Sequence, residues 1–385
     1  MKRIAVIGAG AMGSGIAQVA AMAGLEVILY DSFPDAHVKA RDSIMQSLAR
    51  FTEKQKISDE EAKAIFGRIY FVDHLDSIEG SELVIEAIIE EEEAKQLLFS
   101  LIEPLVTEQT ILATNTSSLS VSRLAKSLKH PERFIGIHFF NPPVMMQLVE
   151  IIPALQTTPE VYAQVVSEIK SWNKTPVTAK DTPGFIVNRI ARPYYGESLR
   201  IAEEQIATPA FIDEAMREIG GFRMGPFELM DFIGNDINEA VTRSVWTAMH
   251  FDSRYRPSSM QINLVNAGWY GRKSGRGYYT YPLPKQEKSI SLTPDHHNIF
   301  IRILVMLINE AADALYYGIA TKEDIDLAMT LGVNYPKGLL RWADDIGIAE
   351  CVRQLDAIYY VYKEERYRCS VLLRKMAEAN LPFYP

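Results

Sequence analysis

At 385 residues, 48% apolar and 23% charged, the chain is long enough for about two or three domains with cores of their own. A net charge of −9 argues against nucleic acid as the main partner, because neutralising phosphates needs clustered Lys and Arg, but it leaves room for a local basic patch. No segment approaches the ~18 unbroken apolar residues of a membrane span. The opening "MKRIAVIGAG" runs from basic residues into glycines, not into the apolar region and small-residue cleavage site of a signal peptide. Cys351 and Cys369 make neither a disulfide framework nor a metal-binding spacing. A cytoplasmic setting without a metal is expected.

The first element is "RIAVIGAGAMGSGIAQVAAMAG": an apolar run from Ile4 to Ile7, then Gly8, Gly10 and Gly13, then a helical pattern through Ala23. Gly8 suits a tight turn, Gly10 admits a pyrophosphate to the backbone, and Gly13 lets the helix pack against the strand; the helix N-terminus faces negative charge. A second strand, "EVILY", leads to Asp31. A carboxylate there accepts hydrogen bonds from a ribose hydroxyl and repels a 2′-phosphate, and Ser32, Phe33 and Pro34 bring no Arg to hold one. The reading is NAD, not NADP, on a Rossmann-type sheet; an FAD site, or a sheet that binds nothing, is the alternative.

Helical stretches follow to about Lys56 and from Asp59 to Phe66. Next come a buried-strand pattern at 82–89, "ELVIEAII", and a helix from Glu90 to about Leu105. "TILATN" is a strand, "LSVSRLAKSL" a helix and "FIGIHFF" a strand again. Strand and helix alternating in this way predict a mostly parallel sheet. Beyond the turn signal at Asp181, Pro183 and Gly184 the period is helical almost to the C-terminus.

The helical part repeats. "IATPAFIDEAMREIGGFRMGPFELMDFIG" (206–234) aligns without gaps on "IATKEDIDLAMTLGVNYPKGLLRWADDIG" (319–347), an offset of 113 residues, and Glu197 falls on Glu310. That period is too long for a solenoid. The expected organisation is an α/β NAD-binding domain over 1–182, a helical domain over 183–281, a linker over 282–298 and a second helical copy over 299–385. Within "IGIHFFNPPVMMQLVEII" (135–152), His138 and Glu150 interrupt two apolar strands around a proline turn. Two neighbouring strands can bring such a pair together, the carboxylate fixing the imidazole's tautomer and favouring its protonated form.

Taken together, "GAGAMGSGIAQ", "NTSSLS", "IGIHFFNPP…LVE", "DTPGFIVNR", "MGPFEL" and "YRPSSM…GWYGRKSGRGYYTY" resemble the L-3-hydroxyacyl-CoA dehydrogenase family, over about residues 1 to 281. The duplicated helical domain resembles the family's longer relatives. The resemblance implies hydride transfer between NAD and C3 of a 3-hydroxyacyl-CoA. It makes His138 the general base, Glu150 its partner, Ser117 a hydrogen-bond donor to the substrate oxygen and Asn188 the amide that completes the site. It also implies cofactor contacts at Ala11, Met12, Asp31, Glu90, Lys95, Asn115, Ser117, Asn141 and Lys273, and CoA contacts at Ser47 and Lys54. Bland readings stand beside these: the glutamates from Glu90 as a solvated first helical turn, Lys54 as a surface charge, and Ser117 as a helix cap, with Ser118 competing for either role.

The chain departs from the family pattern at Val144 and Gln147, neither a catalytic position, where the acyl pocket or the strand turn is expected to change. In the second helical copy Ile301 stands at the position of Asn188, so that copy is expected to be catalytically silent, and to serve as an intramolecular pseudo-dimer partner or beside a homodimer contact. Competing functions are a dehydrogenase of a non-CoA hydroxy compound, of the L-gulonate or carnitine type, and a non-catalytic dinucleotide-binding structural protein.

Overall fold

Eight short, mostly apolar runs build one sheet: β1 (Arg3–Ile7), β2 (Glu26–Tyr30), β3 (Ile69–Val72), β4 (Leu83–Glu86), β5 (Ile111–Thr114), β6 (Phe134–Phe139), β7 (Leu148–Pro153) and β8 (Thr175–Thr178). This is a computed structural model, and it describes residues 1–283 and 292–385. The chain divides into two units, Met1–Phe185 and Ile186–Pro385. In the first, the strand order is β3-β2-β1-β4-β5-β6-β7-β8. Every neighbouring pair is parallel except β6 with β7. The interiors of β1, β2 and β4 to β7 are buried on both faces, which is why they read as unbroken apolar runs, while the edge strands β3 and β8 are partly exposed.

The sheet is covered by α1 (Ala11–Met22), α2 (Pro34–Glu53), α3 (Asp59–Gly67), α4 (Glu92–Ile102), α5 (Val121–Ala125) and α6 (Pro159–Ser171). A capping box between Ser58 and Glu61 starts α3. Two expectations need correction here. The helix read from Glu90 begins at Glu92, leaving Glu90 in the preceding loop. The helix read across "LSVSRLAKSL" is confined to Val121–Ala125; Ser120 caps it, and Asp181 accepts from the Val121 and Ser122 N–H groups at 3.0 and 2.7 Å. Neither Ser117 nor Ser118 caps it. β3 was not anticipated, because "IYFV" is a short run directly after a helix.

Strand order reverses beside β1: β2 and β3 lie to one side, β4 onward to the other. Such a switch point opens a crevice at the carboxyl ends of the strands. The glycines follow β1, Asp31 follows β2, Glu90 comes after β4 and Asn115 follows β5.

The second unit opens with α7 (Val187–Ile190) and then repeats itself. α8 (Arg192–Glu203), α9 (Pro209–Glu214), α10 (Pro226–Ile233), α11 (Asn235–Ala248) and α12 (Ser259–Asn266) are followed by α13 (Pro294–Tyr316), α14 (Lys322–Gly332), α15 (Leu339–Ile346), α16 (Ile348–Tyr362) and α17 (Val371–Ala379). Because α13 starts at Pro294, residues 294–298 are helical and not linker, while 284–291 lie outside the described residues. α15 occupies the residues that the 113-residue offset maps from α10.

The repeated motif has a physical reason. Asp213 accepts from the Phe227 and Glu228 N–H groups at 2.9 and 3.0 Å, satisfying two orphan donors at the start of α10. Asp326 does the same for Leu340 and Arg341 at 2.8 and 3.1 Å. A Cβ on Gly225 or Gly338 would lie 2.3 Å from that aspartate, so glycine recurs wherever the aspartate caps the next helix. The two copies also exchange partners. Glu197, in the first, accepts from Arg302 Nε at 2.7 Å and the Tyr367 hydroxyl at 2.8 Å. Glu310, in the second, accepts from Arg189 Nε at 2.6 Å and the Tyr255 hydroxyl at 2.5 Å. Both glutamates are fully buried. Reciprocal contact of this kind marks an isologous, two-fold-like interface. A chain ending at Tyr281 loses Arg302 and Tyr367 and leaves Glu197 uncovered. It is expected to dimerise or become insoluble in size-exclusion chromatography, and a well-behaved monomer would contradict the pseudo-dimer.

Candidate active site

β6 and β7 are joined through Asn141 and Pro142, and their antiparallel register sets His138 directly opposite Glu150. His138 Nδ1 lies 2.7 Å from Glu150 Oε2, with Glu150 0% and His138 6% exposed. An ionised carboxylate can only accept, so Nδ1 carries the proton. In the neutral ring Nε2 is then the basic nitrogen, and it makes no hydrogen bond among the described residues. Phe140 and Phe185 flank the ring, with centroids 4.5 and 6.0 Å away. Apolar walls around a carboxylate–imidazole pair keep water from competing for it.

A second network lies at the ends of β4 and β5. Glu90 Oε1 accepts from Thr116 Oγ1 at 2.6 Å, from the Ser117 and Ser118 N–H groups at 2.8 and 3.1 Å, and from both serine hydroxyls at 3.3 and 3.1 Å. Its other oxygen faces Lys95 Nζ at 3.1 Å. Burial alone would push the Glu90 carboxyl up, but Lys95 and the hydrogen bonds from Thr116 and Ser117 hold it below its ordinary range. Lys95 is itself anchored by Glu86 at 2.6 Å, and Glu86 also takes the Thr114 hydroxyl at 2.6 Å. Glu86 was missed from sequence, where "ELVIEAII" read simply as a buried strand. An acid inside an apolar strand, the signal that singled out Glu150, marks it equally.

The dinucleotide loop fits the group its motif implies. Gly8 has φ +104°, and a Cβ there would lie 2.6 Å from the Ala87 carbonyl oxygen; one on Gly13 would lie 1.7 Å from the Gly8 oxygen. A Cβ on Gly10 would meet nothing within 4 Å, so that surface is open to a ligand. Asp31 is held by the Ala9 and Phe33 N–H groups at 2.7 and 2.9 Å, one on each carboxylate oxygen. Each oxygen keeps a lone pair for a ribose hydroxyl. A cleft of about 650 Å³ beside it is lined by Ala9, Gly10, Ala11, Phe33 and Lys39.

The remaining expected residues sort as follows. Asn115 Oδ1 accepts from the Phe139 N–H at 2.8 Å, tying the end of β5 to β6. Ser47, Lys54 and Asn141 line one cleft of about 450 Å³, together with Ala11, Arg50 and Lys56. Met12 packs against the core of the first unit. Asn188 and Lys273 belong to the second unit: the Asn188 carbonyl accepts from Arg192 Nε at 2.9 Å, and Lys273 pairs with Asp236 at 2.7 Å.

Removing the Glu90 acceptor unties the 116–118 loop. Glu90→Ala is expected to weaken NAD about tenfold, since several charge-assisted hydrogen bonds go at once; titration of intrinsic fluorescence measures it. The folded pKa lies below the ordinary 4.5. The carboxylate's contribution to stability is therefore fully present above that value and lost as pH falls through the folded pKa. A Glu90→Gln protein should lack this acid-side loss.

A doubly wound sheet with a glycine loop, an acid at the end of the second strand and a buried histidine–carboxylate pair fits a nicotinamide-dependent oxidoreductase. Comparison with known proteins narrows the class. The 3-hydroxyacyl-CoA dehydrogenase NAD binding domain matches residues 3–182. The C-terminal domain of the same family matches 184–281 and again 299–382. The chain is 37% identical to the 3-hydroxyadipyl-CoA dehydrogenase of Escherichia coli K12, over 98% of both chains. It is 41% identical to a probable 3-hydroxybutyryl-CoA dehydrogenase of Bacillus subtilis, over 73% of this chain and 98% of that one. A crystal structure of a 3-hydroxybutyryl-CoA dehydrogenase from Escherichia coli K12 superposes with a TM-score of 0.93 at 36% identity, covering 98% of each chain. The chain belongs to the 3-hydroxyacyl-CoA dehydrogenase family and is an NAD-dependent enzyme. Among the described residues, no helix is long and apolar enough to cross a membrane.

Proposed function

We propose that the protein oxidises (S)-3-hydroxyacyl-CoA to 3-oxoacyl-CoA. The observation that carries this reading is the buried His138–Glu150 pair, at 2.7 Å, in an NAD-binding fold. NAD supplies the hydride acceptor. His138 Nε2 takes the proton of the 3-hydroxyl as the hydride leaves C3. The carboxylate of Glu150 keeps the ring in the tautomer that exposes this nitrogen and stabilises the imidazolium that forms. Run in reverse, the imidazolium returns the proton to the nascent alkoxide.

Ser117 and Asn188 donate hydrogen bonds to the substrate oxygens, where charge develops. Glu90 acts through Ser117, fixing the loop that carries it. The CoA portion is met by Ser47 and Lys54, the ammonium serving as a point charge for a phosphate; Arg50, lining the same cleft, adds to that field.

The test is NADH formation at 340 nm with (S)-3-hydroxybutyryl-CoA, the R enantiomer, L-gulonate and L-carnitine as parallel substrates. Turnover confined to the S-configured CoA ester is expected. Turnover of gulonate or carnitine alone would replace this reading with a non-CoA dehydrogenase.

A further inference from the structure

Lys174, the residue before β8, is a buried cation that bonds a turn and not an acid. It is 8% exposed. Its ammonium donates to the Pro143 carbonyl at 2.6 Å and to the Met146 carbonyl at 2.7 Å. No Asp or Glu pairs with it among the described residues, and burial lowers its pKa to about 8. Burying an ammonium is costly, and two neutral carbonyls offset less of that cost than a carboxylate would. Such a group has its use in what it holds.

The turn it holds is fixed from three sides. From within, the Pro142 carbonyl accepts from the Met145 and Met146 N–H groups, both at 3.0 Å. Towards α1 there is no room to move, because a Cβ on Gly15 would lie 2.7 Å from Pro143 Cδ. Lys174 stands on the third side. Its neighbour Thr175 donates its N–H to the Gln147 carbonyl at 2.9 Å, so the two consecutive residues grip the chain from Pro143 to Gln147.

What the turn borders gives it a role. It leaves β6, which carries His138, and enters β7, which carries Glu150. Its residues from Asn141 to Met145 line the cleft of about 450 Å³ in which Ser47, Arg50 and Lys54 also stand. A second cleft, of about 360 Å³, shares Val144 and Met145 with the first and is lined by Gln147 and Lys174 as well. Val144 and Gln147 are the two positions at which the chain departs from the family pattern. One wall of the expected CoA cleft is thus a turn tethered by a buried ammonium.

We infer that Lys174 is a positioning residue for the CoA portion of the substrate. By tethering the Pro143 and Met146 carbonyls it fixes the wall against which CoA is held, and it does so without touching the reacting atoms. This rests on the CoA-ester reading above and adds a residue that governs how tightly the ester is gripped.

The experiment compares kcat/KM, with NADH, for acetoacetyl-CoA and acetoacetyl-N-acetylcysteamine, which share the reacting end and differ in the CoA portion. The full chain, Lys174→Met and Lys174→Gln are each measured. The full chain should favour the CoA ester. Lys174→Met should cut that preference about tenfold, chiefly by raising KM for the CoA ester, because a misplaced wall no longer matches its ligand. Lys174→Gln, whose amide still donates to a carbonyl, should cut it about threefold, and it carries the test if the methionine variant does not fold. If a folded variant loses both esters alike or keeps the full preference, or if the full chain does not favour the CoA ester, the assignment is overturned. If the full chain turns over neither ester, the CoA-ester reading fails and takes this inference with it.

Discussion

Replacing His138 with alanine is expected to lower kcat by about 10²–10⁴-fold with a much smaller change in KM for the CoA ester. The imidazole is a basic group paired with a buried carboxylate on the antiparallel hairpin, and proton removal is needed solely in the chemical step. Glu150→Gln gives a sharper diagnostic. The amide can donate as well as accept, so it supports the wrong tautomer of His138 and no longer stabilises the imidazolium. Its kcat should fall by at least about 10²-fold, with the fold intact by circular dichroism. Steady-state kinetics measures both variants. A His138→Ala protein with unchanged turnover would remove His138 from the mechanism.

The second large effect concerns stability. Glu310 is fully buried and accepts from Arg189, Arg254 and the Tyr255 hydroxyl. Glu310→Ala strands Arg189 without a carboxylate, while Arg254 keeps Asp313 at 2.7 Å. Breaking one side of a buried ion pair costs about 3–5 kcal/mol, and urea denaturation of the full chain should show a loss of that size. Glu197→Ala should cost less, because Arg302 loses its 2.7 Å bond to Glu197 but keeps Glu204 at 3.2 Å. A loss under about 1 kcal/mol at both positions would mean that the reciprocal contacts contribute no more than surface pairs do.

Much of the site was legible because polar residues stood where the local pattern demanded apolar ones. His138 and Glu150 interrupt strand runs, and the proline turn between them dictates an antiparallel return. What the sequence could not supply was the register that sets them opposite each other. Glu90 shows the opposite failure. A run of glutamates reads as the first turn of a helix, yet its carboxylate is spent on the 116–118 loop, a long-range bond invisible to local periodicity. Glu86 and β3 escaped because one was read only for its strand's apolarity and the other was too short to show a period. The tandem copies were visible as a repeated Asp–Gly spacing. Their exchange of arginines was not, because comparison of Asn188 with Ile301 stops one residue short of Arg189 and Arg302.

The central claim is hydride transfer on a CoA ester, and it is tested most directly by loss of NADH absorbance when the purified protein meets acetoacetyl-CoA, with NADPH in parallel. Rapid oxidation of NADH and little of NADPH is the predicted result, on the expectation that the Asp31 carboxylate, held by the Ala9 and Phe33 N–H groups, meets the ribose and repels a 2′-phosphate. No oxidation of NADH with this ester or with longer and carboxylated 3-oxoacyl-CoA would contradict it.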